Sequence, residues 1–291
     1  MTYVGQLLVA GISLGSVYAL VALGFVLIYR AANVINFAQG DFAMLGAYLM
    51  LLAVNGLHFP YWLAIVSVLV AMALFGSLFA VGIYYPLRNR TWVPVMISTL
   101  GVSILLENGT QSIAGPTPAA LRGAFGSSTM HIGHVVFDDQ YALIIIATLI
   151  LVIGQHYFFE RTLLGKKMQA VSQDKGMAQM LGIPVGIIIT LIFVMSSILA
   201  GFAGLLVGPI LFVSIQLGTN ITLKAFAATI IGGFGSVTGA VAGGVLVGLI
   251  DTFGGAYISL PYKDAFSFLV VVAVLLVRPQ GLFGERVGEK A

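Results

Sequence analysis

The chain has 291 residues, no cysteine, a formal net charge of +3 and a mean hydropathy of +1.07, with 59% hydrophobic and 8% charged residues. A soluble domain carries about 25% charged residues, so this composition excludes an ordinary soluble enzyme. The absence of cysteine excludes disulfide scaffolds, thiol catalysis and Cys-ligated metal. The modest positive charge lies in loops between apolar runs, not on the basic face of a soluble module, which excludes nucleic-acid binding.

No Asp, Glu, Lys or Arg precedes Arg30, and none falls at 42–87, 176–223 or 225–250. A spanning helix takes about 20 apolar residues, so the gaps of 46 and 48 residues each hold more than one pass, or a pass plus a re-entrant segment. The apolar runs are continuous and lack the alternation of a barrel strand, which leaves the helix as the spanning element. In chain order the predicted spans are 5–29, 37–56, 60–85, 92–107, 141–159, 186–213, 222–258 with a break, and 262–278. The fold class is an all-α integral membrane protein of about eight spans, including discontinuous or re-entrant helices. The first run lacks the Lys/Arg-rich start of a secretory signal and stays apolar to Tyr29, too long for a cleavable core, so it is a retained span. Only 13 residues separate Asp264 from Arg278, so the last pass is short unless it is extended through 257–262.

Cytoplasmic loops carry the excess of Lys and Arg. Arg30, Arg88, Arg90, Arg161, Lys166, Lys167, Lys175, Arg278, Arg286 and Lys290 fall on one side of this threading, and Arg122, Lys224 and Lys263 on the other. That bias places the 160–184 loop and the C-terminus in the cytoplasm and the N-terminus outside. The exterior loop at about 108–140 is broken by Gly115-Pro116-Thr117-Pro118. His131 and His134 stand at a spacing that can share a metal, but no third ligand of clear spacing accompanies them, and no metal is assigned.

Three stretches carry chemistry. In the first, Asn36, Gln39 and Asp41 interrupt a long apolar region beside Gly40. An ionisable side chain at membrane depth costs about 2.5 to 3.5 kcal/mol on insertion scales and therefore faces a bundle interior or water. The stretch reads either as a broken helix lining a polar path or as a cytoplasmic turn. The second, with Gly232, Gly233, Gly235 and Ser236, looks like a loose counterpart. Three glycines in four residues bend or unwind a helix, each costing about 1 kcal/mol relative to Ala, and paired helix breaks mark transporter paths. The alternative is close helix packing through small residues. A phosphate loop is excluded, because the strand, the glycine spacing and the Lys-Ser/Thr pair are missing. In the third stretch, the polar 160–184 loop, Asp174 caps a short helix with Met177, Met180 and Leu181 at helical spacing, and Gly182 and Pro184 end it. Its apolar side is covered either by a partner's groove or by the bilayer surface, with Lys166 and Lys167 on lipid phosphates.

The sequence resembles the permease subunit of a high-affinity branched-chain amino-acid ABC importer, over nearly its whole length. The resemblance is carried by residues 14–20 (LGSVYAL), 36–41 (NFAQGD), 178–183 (AQMLGI), 231–240 (IGGFGSVTGA) and 278–284 (RPQGLFG). Gln39 departs from the His common in the family, and no titrating residue is inferred there. The resemblance implies a single permease domain over 1–291 in a bacterial-type inner membrane, with 160–184 as the coupling segment. Asp174, Met177, Ala178, Leu181 and Gly182 would then seat in a cytoplasmic ATPase. It further implies two ATPase subunits carrying ATP and Mg²⁺, a second homologous permease or a second copy, and an external solute-binding protein. This chain would have no catalytic residue and no cofactor of its own. Asn36, Gln39, Asp41, Gly232, Gly233, Gly235 and Ser236 would line the translocation path for a branched-chain or related amino acid, short amide or urea. Glu107 is read as a solvated residue at the outer end of the fourth span, and Asp251 as a partner of Lys263 or a helix end. The rival class is an ion-coupled secondary transporter of small polar or zwitterionic solutes, in which those acids relay protons. An intramembrane hydrolase is disfavoured, because His156, the one histidine in a predicted span, has no Ser or acid partner at a useful spacing.

Overall fold

The computed structural model describes residues 2–283 except 125, 127–128 and 133–134. Gly284, Arg286, Lys290 and His134 lie outside the described residues, as does the side chain of His131. Helices α1 (Thr2–Ala32), α2 (Gln39–Leu51, extended by a π-helical turn Leu52–Gly56) and α3 (Tyr61–Phe79) open the chain. A second π-helical turn, Ala80–Tyr84, joins α3 to the short α4 (Tyr85–Leu87), and α5 follows (Trp92–Ala114). An antiparallel hairpin, β1 (Thr129–Ile132) and β2 (Val135–Asp138), pairs Thr129 with Asp138 and leads into α6 (Asp139–Arg161). Two short helices, α7 (Leu163–Gln173) and α8 (Lys175–Met180), precede α9 (Val185–Leu211), α10 (Gln216–Gly232), α11 (Val237–Tyr257) and α12 (Lys263–Val277).

Among the described residues, six helical stretches are long and apolar enough to cross a membrane: α1, α3 with α4, α5, α6, α9 and α11. Helices α2, α10 and α12, of 13, 17 and 15 residues, fall short of the roughly 20 residues a full crossing takes. The segment expected at 222–258 is two helices, and the first of them starts at Gln216. Helix α1 is hydrophobic on every side and is the buried axis of the bundle. It meets α11 at glycine contacts, where a Cβ on Gly15 would lie 2.7 Å from the Val245 backbone, the small-residue packing that lets membrane helices approach closely. Outward-facing Trp62, Leu78, Ile104, Leu105 and Leu276 are exposed, as lipid or a partner helix requires.

The helices form two quartets of opposite sense. Helix α1 runs toward the end that carries Arg30, Arg161, α7 and α8, here the basic end, and α9 starts from that end. Each is followed by a non-glycine residue of positive φ, Asn33 at 57° and Phe212 at 59°, then a short non-helical crossing and a short helix. The third helix of each quartet packs on the first helix of the other, α3 on α9 and α11 on α1, and the fourth packs on the second, α5 on α2 and α12 on α10. This is the pattern of an inverted-topology repeat. The counterpart of residues 33–38 is therefore 212–215, and not the glycine stretch at 232–236 expected from sequence.

Candidate translocation and coupling sites

The break after α1 turns back into the bundle. Asn33 takes the left-handed conformation that its short polar side chain tolerates. Asn36 is buried, and its Oδ1 accepts from the Ala38 amide at 3.2 Å while its Nδ2 donates to Gln39 Oε1 at 3.3 Å. Gln39 Nε2 donates to the Ser196 carbonyl at 3.2 Å, and Ser196 Oγ donates to the Gly24 carbonyl at 3.0 Å, so the break is tied to the middles of α1 and α9. The first amides of a helix have no partner within it, and α2 has no side-chain cap of its own. Neighbouring helices supply acceptors: the Gly40 amide of α2 donates to Thr222 Oγ1 of α10, and the Phe37 amide, in the break just before the helix, to Thr99 Oγ1 of α5, each at 3.1 Å.

Asp41 lies in the first turn of α2, where the helix dipole favours a negative charge. It is 1% exposed, and neither carboxylate oxygen has a hydrogen-bond partner of good geometry among the described residues. Gly218 of α10 makes room for it, since a Cβ there would collide with Asp41 Oδ1. Ser103 and Glu107 of α5 approach it on the same side, a hydroxyl that favours its charge and a carboxylate that opposes it. Glu107 accepts from the Thr219 hydroxyl of α10. The expectation of a solvated end residue is corrected: α5 continues to Ala114, which leaves Glu107 half-buried about two turns inside.

The glycine stretch lies elsewhere. Helix α10 ends at Gly232, Gly233 and Gly235 take φ of 102° and 91°, and Ser236 Oγ caps α11 by accepting from the Gly239 amide at 3.0 Å. Gly232 packs on Gly239, and the tail closes over the turn, with the Leu282 amide donating to the Ile231 carbonyl at 2.8 Å and Phe283 to Gly232 at 3.0 Å. This turn is at the basic end, about 15 Å along α10 from Thr222. Asn36, Gln39 and Asp41 are brought together; Gly232, Gly233, Gly235 and Ser236 are not brought to them. A chain of rings, Phe37, Phe226, Phe234 and Tyr29, runs between the two regions.

In the 160–184 loop, Thr162 Oγ1 caps α7 by accepting from the Gly165 amide, and Asp174 Oδ1 caps α8 by accepting from the Met177 amide, both at 2.9 Å. Gly182, at φ 76°, ends the segment before Pro184 and α9. Helix α7 buries Gly165, Met168 and Val171 against the bundle. Ala178 is 2% exposed and faces inward, whereas Met180 is 85% exposed and Met177 and Leu181 project with it.

Sequence reasoning passed over Thr99 and Ser103. With Glu107 they follow one another at four-residue spacing in an apolar helix, a signal the sequence does carry. The sequence places Lys224 on the outer side, at the start of the 222–258 span, and reads Asp251 as a partner of Lys263 or a helix end. Instead Lys224 is 4% exposed on α10, and its Nζ donates to Asp251 Oδ1 at 2.6 Å and to Ser267 Oγ at 3.2 Å, with Asp264 Oδ1 at 2.9 Å. The early start of α10 carries Lys224 inside and turns it toward α11.

Residues 7–275 match the family described as "Branched-chain amino acid transport system / permease component". The chain is similar to the high-affinity branched-chain amino acid transport system permease protein LivH of Escherichia coli K12, at 32% identity covering 99% of this chain and 98% of that one. It is also similar to the corresponding protein BraD of Pseudomonas aeruginosa, at 35% identity covering 98% and 97%. Among solved structures, PsaBC from Streptococcus pneumoniae aligns over 95% of this chain and 91% of its own, with a TM-score of 0.49 and 14% identity, too slight a likeness to carry an argument.

Proposed function

The chain belongs to the branched-chain amino acid transport permease family, and from that premise we propose how it works within its complex. It is a multi-pass, non-catalytic membrane permease component of an ABC-type branched-chain amino-acid import system. In our reading it forms one half of a channel in the bacterial inner membrane, with a homologous permease or a second copy as the other half. The basic end is cytoplasmic by the excess of Lys and Arg. Two ATPases there bind ATP and Mg²⁺, and a solute-binding protein delivers the amino acid to the opposite end.

The observation that carries this reading is the outward row of Met177, Met180 and Leu181 on α8. An apolar helix side that turns away from its own bundle takes a groove as its cover, and the capped, glycine-terminated segment holds it in place. Closure of the ATPases would move α8, and α7 would pass the motion to α1, α6 and α9, on which it packs. The spans would then rock about the break at Asn36, Gln39 and Asp41, opening the polar seam between α2, α5 and α10. The glycine turn at Gly232, Gly233, Gly235 and Ser236 would act as the hinge that keeps α10, α11 and the tail together.

The test is purification of the chain from native membranes in detergent, followed by reconstitution with the binding protein. We expect two ATPase subunits and a second permease to accompany it, and leucine uptake to require ATP. Recovery of the chain without ATPases, with uptake driven by a proton or sodium gradient after ATP depletion, would make it an ion-coupled transporter instead.

A further inference from the structure

We propose that Asp41 is the binding group for the ammonium of the transported amino acid. This rests on the permease reading above and assigns a chemical partner within the polar seam. A carboxylate removed from water without a partner is strongly disfavoured, yet Asp41 is 1% exposed and both of its oxygens lack a hydrogen bond of good geometry among the described residues. The fold has the means to pair such a group, as it does for Asp251, but the one buried ammonium among the described residues, Lys224, is held by Asp251 and Asp264. No cation pairs with Asp41 among the described residues.

The surroundings fit a cationic head on an apolar body. A second acid, Glu107, stands on the same side, and the hydroxyls of Ser103, Thr219 and Thr222 line the approach. Glu107 is half-buried and Thr219 is exposed, so the seam opens toward the outer face of α5 and α10, where the second permease would complete the channel. Gly218 leaves the carboxylate uncovered by a side chain of α10. An alkylammonium brings one positive charge and three donors, enough to reach both acids and a hydroxyl. An uncharged solute would leave Asp41 unpaired.

The rival explanation is that Asp41 is a buried neutral acid that only fills space, and Asp41→Asn separates the two, since Asn keeps the volume and removes the charge. The complete complex, with ATPases, second permease and binding protein, is reconstituted in liposomes, and ATP-driven uptake of leucine is measured. Failure of the wild-type complex to take up leucine would count against the permease reading, and the variant is read only against a working wild type. We expect Asp41→Asn to assemble with the ATPases at wild-type yield and to lower uptake by about tenfold to a hundredfold, the worth of one hydrogen bond to a charged group. Wild-type uptake by Asp41→Asn overturns the proposal. Should that variant fail to assemble, Glu107→Gln decides: it lies in the half-exposed part of the seam, and a reduction of threefold or more supports the acidic site, whereas unchanged uptake overturns it.

Discussion

Asp251 and Asp41 are both aspartates inside the bundle, 4% and 1% exposed, and their surroundings differ in kind. Asp251 accepts from Lys224 at 2.6 Å and from the Tyr18 hydroxyl at 3.4 Å, and Ser267 and Asp264 complete the cluster around the lysine. The group joins α1, α10, α11 and α12. Asp41 has a glycine before it, a second acid beside it and no cation paired with it among the described residues. Buried charge that is fully paired fixes helices against one another, whereas buried charge left unpaired costs stability and persists where a ligand uses it. The same residue type therefore serves as a fastening in one half of the repeat and as a candidate receptor in the other.

The comparison breaks most visibly at Lys224. Lys224→Met removes the cation and leaves the Asp251 carboxylate buried with only Tyr18, and stranding one member of a buried pair costs about 3 to 5 kcal/mol. We expect a marked fall in the unfolding midpoint of the detergent-solubilised protein. The double change Lys224→Met with Asp251→Leu should recover most of it, because two apolar groups leave no charge unpaired. A double variant as unstable as the single one would mean that the pair is not what fastens α10 to α11.

The break before Asp41 is sharpened by the threonine that serves it. Thr222→Val keeps the shape of the side chain and removes the acceptor of the Gly40 amide, leaving a buried donor unmet at about 1 to 3 kcal/mol. Unfolding in detergent reads the loss, and leucine uptake should fall with it because α2 begins at this point. Unchanged stability and uptake would show that the amide finds another acceptor, and that α10 does not set the start of α2.

Much of this was readable in the sequence, and the unread parts share a cause. The apolar gaps gave the helices, and the Gly233 and Gly235 turn appeared as a break because only glycine accepts those φ values at no cost. Asp174 and Gly182 bounded α8 by cap chemistry that is local. The Phe212 break was hidden, because nothing local marks it: Phe212 is exposed, and the backbone that follows is held by the pairing of Val213 with Ala119, far earlier in the chain. Counting Lys224 among the outer-side charges failed for a related reason: its main partner is 27 residues away, and nothing local distinguishes a paired lysine from a solvated one. The neighbours of Asp41 lie on α5 and α10, so its isolation could be recognised only after those helices were packed.

The smallest effect belongs to the surface that carries the coupling assignment. Asp174→Ala removes the side-chain acceptor of the Met177 amide, worth about 1 kcal/mol of helix stability, and α8 has only six residues over which to spread that loss. The bundle should keep its unfolding midpoint, since α8 makes few contacts with it beyond Ala178 and α9. The yield of ATPase subunits co-purified with the chain should fall severalfold, because Met177, Met180 and Leu181 lose their fixed presentation. Asp174→Asn retains a capping oxygen and should restore the yield. If Asp174→Ala and Asp174→Asn both co-purify like the wild type, the ATPase docks on some other part of the basic end, and α7 becomes the next segment to change.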